Sequence, residues 1–481
     1  MTMAVDYDLV VIGSSRVGVY AAQKAVELQA RVALVTQSED LFLADNTLAN
    51  YSLSEVGHFN DRLGNNPWFS TPDRVSLASA QTWANQTDSK MQTKNSLANL
   101  AALGVDIIVG KGEFCRLPNL ALQTEKRKLR SRNYILTTGA SFPSEFAGGD
   151  RLHDYLTLDE LWQQDLTKLG QNIIIIGGDP AALELAQTLA RFEKQVTLVT
   201  RQPRILPQED LELVLLLQAQ LEVLGVKIYT DSTVSQIKTI DGQSWLQAGD
   251  RALTADCIIL ADYRQPNIAS LNLAGINVKY DRDRVYVDRK LQTSNPNIYA
   301  CGAAIGGYSL PNIARYEANL ILKNTLFFPW YKTDYSTLPW AISTQPSLAR
   351  VGLNQKLAQQ QYGNDLYVVT EYFKDIERAQ ISSNTTGMCK LLVRNNGEIV
   401  GCSLIGDRAE ESIALIALMM QQQIKLDGNP MRGLTSLSLA TTYPSMSEIW
   451  QRAFDNFYRQ KLQRHPQLLT RLRSWFSFLK S

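Results

Sequence analysis

The first hundred residues open with short apolar runs around a helical pattern. Residues 7–12 form an apolar run that ends at Gly13, and apolar positions then recur at helical spacing from Val17 to Leu28. A second apolar run covers residues 31–35. This order of run, glycine turn, amphipathic helix and run predicts a strand–helix–strand unit of the dinucleotide-binding type.

The same pattern returns near the middle of the chain. Residues 172–176 predict a strand, Gly-Gly-Asp-Pro at 177–180 a turn, residues 181–192 a helix, and residues 196–199 a further strand. Two such units indicate an α/β protein with two nucleotide-sized sites.

Further segments occur in an order that is typical of one enzyme family. They are NYILTTGA at 133–140, LADYRQPN at 260–267, NIYACG at 297–302, PWAISTQPSLARVGL at 339–353 and EIVGCSLIGDRAEESI at 398–413. Together with the first turn, they make the chain similar to the FAD-dependent pyridine nucleotide–disulfide oxidoreductases, the family of glutathione reductase, dihydrolipoamide dehydrogenase and mercuric reductase. The resemblance covers roughly residues 5–455.

The resemblance implies two Rossmann-like dinucleotide-binding domains and an α+β dimer-interface domain. The implied FAD-binding-type domain comprises residues 1–148 and 269–335, and the NAD(P)-binding-type domain residues 149–268. Residues 336–458 correspond to the dimerisation domain, which implies a homodimer, and residues 459–481 form a tail beyond it.

The charge balance and the cysteine content limit the classes of partner and compartment that we expect. Lys and Arg number 48 against 47 Asp and Glu, so the net charge of +1 provides no field for nucleic acid. The five cysteines form no C-x-x-C pair and have no histidine neighbour, which predicts small buried side chains in a reducing cytosol rather than a disulfide or metal site. The amino terminus lacks the basic start of a signal peptide and the longest apolar run, residues 413–420, is too short to span a bilayer, so we expect a cytoplasmic protein.

The first turn departs from the family pattern at its middle glycine. In G-x-G-x-x-G, glycines let the backbone approach the FAD pyrophosphate at a helix N-terminus. Here the turn comprises Gly13, Ser14, Ser15 and Gly18, so that a serine Cβ stands at the closest approach. The serine hydroxyl and Arg16 could still donate hydrogen bonds to the cofactor.

Other implied FAD contacts are partly kept. Thr36 replaces the carboxylate that binds the ribose, and Ala303 replaces the acid of the later FAD stretch. Thr138 and Gly139 keep the crossover turn, and Gly302 keeps the later glycine. Backbone N–H groups and the helix dipole do not depend on the lost side chains, so FAD binding and its loss both stay open.

The second turn carries an acid where the middle glycine belongs. It comprises Gly177, Gly178 and Asp179, whose carboxylate would repel a pyrophosphate, so we expect NAD(P)H binding to be weak or absent. Thr200 stands in place of the ribose-binding acid and Arg201 follows it. Arg201 suits either the 2′-phosphate of NADPH or a solvated basic turn.

The catalytic groups of the family are missing. Residues 36–57 contain no cysteine where the redox pair belongs, and Tyr443 stands at the catalytic histidine. Glu184 matches a glutamate that pairs with a lysine near the flavin, but no lysine occurs between Lys24 and Lys90. Glu184 is therefore either a cofactor-site residue or a helix surface residue. We assign no catalytic residue, and dithiol chemistry is excluded.

The tail has a basic and amphipathic pattern. Residues 459–481 contain six Lys or Arg and no acid. After Pro466, apolar side chains recur at spacings of three and four, namely Leu468, Leu469, Leu472, Trp475, Phe476 and Leu479. This pattern suits a helix on an anionic membrane surface, a helix against its own domain, or a helix in a partner's groove.

Three functions stay open from sequence. The first is a flavin oxidoreductase that passes electrons from NAD(P)H through FAD to a non-thiol acceptor. The second is a pseudoenzyme that acts as a dimeric scaffold or regulator. The third is a nucleotide sensor without chemistry.

Overall fold

The computed structural model describes residues 5–36, 47–64, 74–94, 96–116, 119–150, 154–426 and 442–478. The chain contacts divide the protein into two compact units. The first comprises Met1–Ile205 and Leu224–Thr333, and the second Leu206–Val223 and Asp334–Ser481.

The strands, in chain order, are β1 Tyr7–Ile12, β2 Val32–Thr36, β3 Asp106–Val109, β4 Gly112–Cys115, β5 Ala121–Thr124, β6 Lys128–Leu129, β7 Ser131–Leu136, β8 Ala140–Ser141, β9 Glu145–Phe146, β10 Gly149–Asp150, β11 Leu156–Thr157, β12 Asn172–Ile176, β13 Gln195–Val199, β14 Lys227–Tyr229, β15 Val234–Ile240, β16 Gln243–Ala248, β17 Arg251–Ala255, β18 Cys257–Leu260, β19 Gln265–Pro266, β20 Ile298–Ala300, β21 Trp340–Ile342, β22 Ser347–Gly352, β23 Leu366–Tyr372, β24 Met388–Arg394 and β25 Ile399–Gly406.

The α-helices are α1 Arg16–Glu27, α2 Thr47–Gly64, α3 Leu77–Lys94, α4 Leu97–Ala102, α5 Leu158–Leu161, α6 Pro180–Arg191, α7 Leu211–Val223, α8 Pro311–Leu326, α9 Gln355–Tyr362, α10 Glu377–Ile381, α11 Ala409–Gln421, α12 Glu448–Arg464 and α13 Pro466–Phe478.

The first unit contains two parallel sheets. One has the strand order β20-β7-β1-β2-β3 and the other β11-β18-β12-β13-β14. Their central strands are buried on both faces, as expected where helices cover a parallel sheet, and this is why they stand out in the sequence as continuous apolar runs. The two predicted strand–helix–strand units are therefore confirmed, in β1–α1–β2 and β12–α6–β13.

The second unit is built on an antiparallel sheet with the order β21-β22-β25-β24-β23. Apolar side chains on one face of the sheet pack against α11 and α12 in a single core that includes Trp450, Phe454 and Phe457. This mixture of a sheet and covering helices confirms the α+β part of the predicted fold class.

The opposite face of this sheet carries polar side chains that bind one acidic segment. Arg350 Nε donates to Glu209 at 2.6 Å, and the buried Lys390 donates to Glu212 at 2.7 Å. Ser403 donates to Asp210 at 2.7 Å. These bonds group residues 206–223 with the second unit, although that segment lies inside the range 149–268 predicted for the NAD(P)-type domain.

The last long helix extends past the predicted start of the tail at residue 459. Within α12, Lys461 Nζ donates to the carbonyl of Asn395 at 2.6 Å, and Arg464 donates to that of Leu366 at 2.9 Å. The separate tail therefore begins near His465 and contains α13. Leu479 and Lys480 lie outside the described residues.

Across the part of the chain that the structure describes, no helix combines the length and the apolar character needed to cross a membrane.

Candidate functional site

The first turn is built by close backbone approaches at two glycines. Gly13 has φ +109°, and a Cβ there would lie 2.5 Å from the carbonyl oxygen of Thr137. A Cβ on Gly18 would lie 2.2 Å from the carbonyl oxygen of Gly13. Only glycine fits either position, so the chain has kept the two positions that shape a dinucleotide turn.

The two serines of this turn bond to neighbouring strand ends. Ser15 is the N-cap of α1, and its hydroxyl donates to the carbonyl of Thr137 at 2.8 Å. Thr36 donates to the Ser14 hydroxyl at 2.8 Å. The position predicted to have lost a ribose carboxylate thus holds a neutral hydroxyl pair, which leaves no unbalanced charge beside the turn.

Arg16 joins α1 to α3. Its guanidinium lies 3.2 Å from the carboxylate of Asp88 on α3, in an ion pair.

The crossover residues lie at the same sheet edge. Gly139 has φ +68°, and the hydroxyl of Thr138 is buried without a hydrogen-bond partner among the described residues. Asn267 donates to the carbonyl of Thr138 at 3.1 Å and so links the turn that follows β7 to the segment that follows β19. An unpartnered buried hydroxyl is costly and is typical of a site that a ligand completes.

Gly302 joins this group from the later FAD stretch. It has φ +68°, and a Cβ there would lie 3.6 Å from the side chain of Val17 in α1. The Gly302 N–H donates to the buried carboxylate of Glu317 at 2.7 Å. The structure therefore brings Gly13, Gly18 and Gly302 together.

The second turn has the same frame with an acid inside it. Gly177 has φ +150°, and a Cβ on Gly178 would lie 2.8 Å from Thr200 Oγ1. Asp179 is the N-cap of α6 but makes no side-chain cap bond. Burial, and then the nearby Asp262 carboxylate, raise the pKa of Asp179 to about 6, while Arg201 lowers it.

Arg201 lies beside a residue that sequence analysis missed. Its guanidinium carbon is 4.5 Å from the centroid of the Tyr263 ring. Tyr263 has φ +70°, and it precedes Arg264-Gln265-Pro266-Asn267 where the family turn begins with glycine. A bulky residue in that glycine position was the available signal.

Glu184 is not the helix surface residue that one interpretation favoured. It is buried on α6, and the amide nitrogen of Asn50 on α2 donates to its carboxylate at 3.1 Å. The sequence search for a lysine partner missed Asn50 because an amide carries no charge. Asn50 takes the place of the family's lysine, so the contact between α2 and α6 is kept but its positive charge is lost.

Most of the cysteines are buried, whereas Tyr443, at the position of the family's histidine, is exposed. The five cysteines are free, and four of them are buried; burial raises the pKa of the Cys257 thiol to about 12. Tyr443 is 78% exposed and its hydroxyl donates to Glu377, a bond that raises the pKa of Tyr443. The raised pKa values keep the Cys257 thiol and the Tyr443 hydroxyl protonated near neutral pH.

Among the described residues, no group of three or more His, Cys, Asp or Glu side chains is placed to hold a metal ion.

The fold and these turns define a protein with two dinucleotide-binding-type units and an added α+β unit. The sequence profile described as pyridine nucleotide-disulphide oxidoreductase matches residues 7–318, and that of the family's dimerisation domain matches residues 338–454. The chain belongs to the pyridine nucleotide-disulphide oxidoreductase family.

Two curated relatives are similar in sequence, and two solved structures have a similar fold. The chain is 27% identical to mercuric reductase from Staphylococcus aureus, over 86% of this chain and 77% of that one. It is 26% identical to dihydrolipoyl dehydrogenase from Bacillus subtilis, over 87% and 93%. The flavoprotein disulfide reductase RclA from Escherichia coli superposes with a TM-score of 0.77 at 24% identity, over 93% and 99%. LpdA from Mycobacterium tuberculosis gives 0.82 at 19%, over 93% and 99%.

The raised pKa of Asp179 predicts a pH-dependent stability. Its pKa rises on folding from 3.8 to about 6, so its ionisation opposes folding as pH rises through that window, and the penalty stays constant above it. Asp179→Asn keeps a good N-cap and should raise the free energy of unfolding by about 1–3 kcal/mol at pH 7.5. Urea unfolding between pH 4 and 7.5 measures this, and the gain should vanish near pH 4.

Asp256→Asn is the opposite-sign control. Backbone N–H groups of Asn172 and Gln171 lower the pKa of Asp256, so losing its charge should never stabilise the protein at pH 7.5. A D179N gain that is the same at every pH would contradict the assignment.

Proposed function

We propose that this protein is an FAD-binding oxidoreductase of its family that works without dithiol chemistry and passes electrons from NAD(P)H through FAD to a non-thiol acceptor such as a quinone or oxygen. The observation that carries the proposal is the contrast between the two sets of groups. The first turn keeps its glycine frame, whereas the family's cysteine pair is missing from residues 36–57 and Tyr443 stands at the position of its histidine.

The residues at the first turn fit a diphosphate. Gly13 and Gly18 allow the close backbone packing that shapes the turn, and the turn leads into the N-terminus of the 12-residue helix α1. The Ser15 hydroxyl caps that helix. The buried Thr138 hydroxyl, which has no hydrogen-bond partner among the described residues, lies at the same edge of the sheet. These groups would hold FAD, which when bound supplies a carrier that takes up two electrons from a hydride donor.

The absence of the cysteine pair and of the catalytic histidine supports a function without dithiol chemistry. Disulfide reduction needs a thiolate and a base that act as a unit. The chain has no cysteine before Cys115, and Tyr443 binds Glu377 while Glu448 pairs with Arg452 at 3.3 Å. Acceptors that take electrons without forming a mixed disulfide need neither group.

A second candidate function is a dimeric pseudoenzyme, either a scaffold or a nucleotide sensor. The specific observation in its favour is the second turn, where Asp179 and Tyr263 stand at two glycine positions. These residues do not fit a dinucleotide in the arrangement seen. A bound flavin that NADPH bleaches selects the oxidoreductase, whereas a bound but inert flavin selects the sensor and a colourless protein the scaffold.

We also propose a homodimer formed through residues 338–457. The family profile for dimerisation covers this segment. Large apolar side chains of the second unit are exposed in the single chain, including Tyr372 at 44%, Ile381 at 65% and Leu418 at 52%. Exposed apolar area of this kind favours association.

A membrane surface is the further partner that we propose. In the first unit, Phe327, Phe328, Trp330 and Tyr331 are each at least 50% exposed, and the Phe328 and Trp330 rings stack at 4.8 Å. The buried Asn324 amide fixes this aromatic loop by accepting from the Tyr331 N–H and donating to its carbonyl. Aromatic rings beside lysines suit the headgroup layer, as does the basic tail.

The five free cysteines favour a reducing compartment such as the cytosol.

The flavin proposal predicts a coloured protein. Purified wild type should show flavin absorbance, and Gly18→Ala should lose most of it because the new Cβ would meet the Gly13 carbonyl oxygen at 2.2 Å. Gly57→Ala is the matched control, since the nearest atoms to its Cβ would be side-chain atoms, Arg191 Cδ at 3.3 Å and Phe192 Cε2 at 3.8 Å. A colourless wild type reconstituted with excess FAD, and still colourless after desalting, would select the pseudoenzyme.

The dimer proposal predicts a mass of twice 53.8 kDa in solution. Light scattering at micromolar concentration measures it directly. A stable mass of one chain across that range would contradict the proposal.

The membrane proposal predicts salt-sensitive sedimentation with phosphatidylglycerol vesicles. Phe328→Ser combined with Trp330→Ser should reduce the bound fraction by at least about tenfold, because two exposed rings lose their interfacial contacts. A chain ending at His465 should also bind less. Tyr280→Ser, at a 46% exposed ring elsewhere, should bind as wild type. Wild type that stays in the supernatant refutes the proposal.

A further inference from the structure

Three neighbouring strands meet the second turn at their carboxyl ends. The sheet order places β12 between β18 and β13, and the register pairs their last residues, so the three strands end level. The turn 177–179 follows β12, Arg201 follows β13 and Tyr263 follows β18. Because β12 is in the middle, a contact between Arg201 and Tyr263 must pass across the end of β12, where the turn lies.

That contact is present, and it is supported by a second ring. The Arg201 guanidinium carbon lies over the Tyr263 ring, 4.5 Å from its centroid. The Phe146 ring lies 4.5 Å from the Tyr263 ring, tilted by 50°. Cation–π and ring–ring attraction thus hold two side chains across the edge where parallel α/β sheets bind their ligands.

The backbone of Tyr263 is strained in this position. Its φ of +70° lies in the left-handed region, which a bulky residue rarely adopts. Its N–H donates to the Asp262 carboxylate at 2.6 Å, which helps to keep the turn in place. Such outliers persist only where the surroundings hold them, and they cluster at functional sites.

We infer that Arg201 and Tyr263 form a latch that closes the second dinucleotide crevice, and that a nicotinamide dinucleotide binds only after the two side chains part. The inference rests on the proposed function, in which NAD(P)H is the electron donor. Arg201 is exposed, so it can leave the ring without unfolding β13.

The opened latch would also set the choice between nucleotides. A released Arg201 guanidinium, following the second strand of the unit, is placed to form charge-assisted hydrogen bonds with a 2′-phosphate. The residue that closes the crevice would then select NADPH over NADH.

Calorimetric titration of the full chain with NADPH tests the latch. Tyr263→Gly removes the ring and suits the positive φ, so it should fold and should bind NADPH about tenfold or more tightly than wild type, a gain of at least about 1.4 kcal/mol. Tyr263→Phe keeps the ring and should bind within about twofold of wild type. Circular dichroism verifies that each variant is folded.

The nucleotide choice has its own pair of variants. In Y263G, NADPH should bind about tenfold better than NADH, and adding Arg201→Gln should remove that preference. Equal NADPH affinities for wild type and Y263G, including no binding by either, would overturn the latch.

Flavin absorbance of the same samples separates this inference from the proposed function. Colourless protein in which Y263G still gains NADPH affinity would refute the proposed function and leave the latch standing. Yellow protein in which Y263G gains nothing would refute the latch alone.

Discussion

The level ending of parallel strands is the constraint on which both nucleotide sites depend. Hydrogen-bonded register aligns β1, β2 and β7 in one sheet and β12, β13 and β18 in the other. Residues far apart in sequence, such as Ser15 and Thr137, therefore meet at one edge. A substitution in one turn at these edges changes the contacts of the neighbouring turns, because the strands leave little space between successive turns.

The substitutions at the two sheet edges have different structural consequences. At the first, Thr36 stands at the position of a lost carboxylate and forms a neutral bond with Ser14. The backbone frame of the first turn stays open. At the second edge, the Asp179 carboxylate makes no cap bond, and a cation and two rings cross above it. The first site has lost a carboxylate and kept its glycine frame, whereas the second has gained the Asp179 carboxylate and the contact between Arg201 and Tyr263.

Sequence was sufficient for the fold and for the frame of each turn. Buried parallel strands give continuous apolar runs, and glycines at positive φ mark the turns, so β1–α1–β2 and β12–α6–β13 were visible without coordinates. The side-chain pairs were not, since Asn50 lies 134 residues from Glu184 and carries no charge to search for. Tyr263 stands in a glycine position of the family turn, so its positive φ was open to prediction, whereas its contact with Arg201 was not.

The segment of residues 206–223 bears on how the chain can be divided. It groups with the second unit through Glu209, Asp210 and Glu212, while the residues on both sides of it belong to the first. The chain therefore changes unit three times, after residues 205, 223 and 333. No single cut yields two intact halves, and a fragment ending at Thr333 would carry an acidic, leucine-rich helix without the sheet that its acids bind. The two units are thus interleaved in the gene, and domain exchange between relatives would need to move residues 206–223 together with the carboxyl-terminal part.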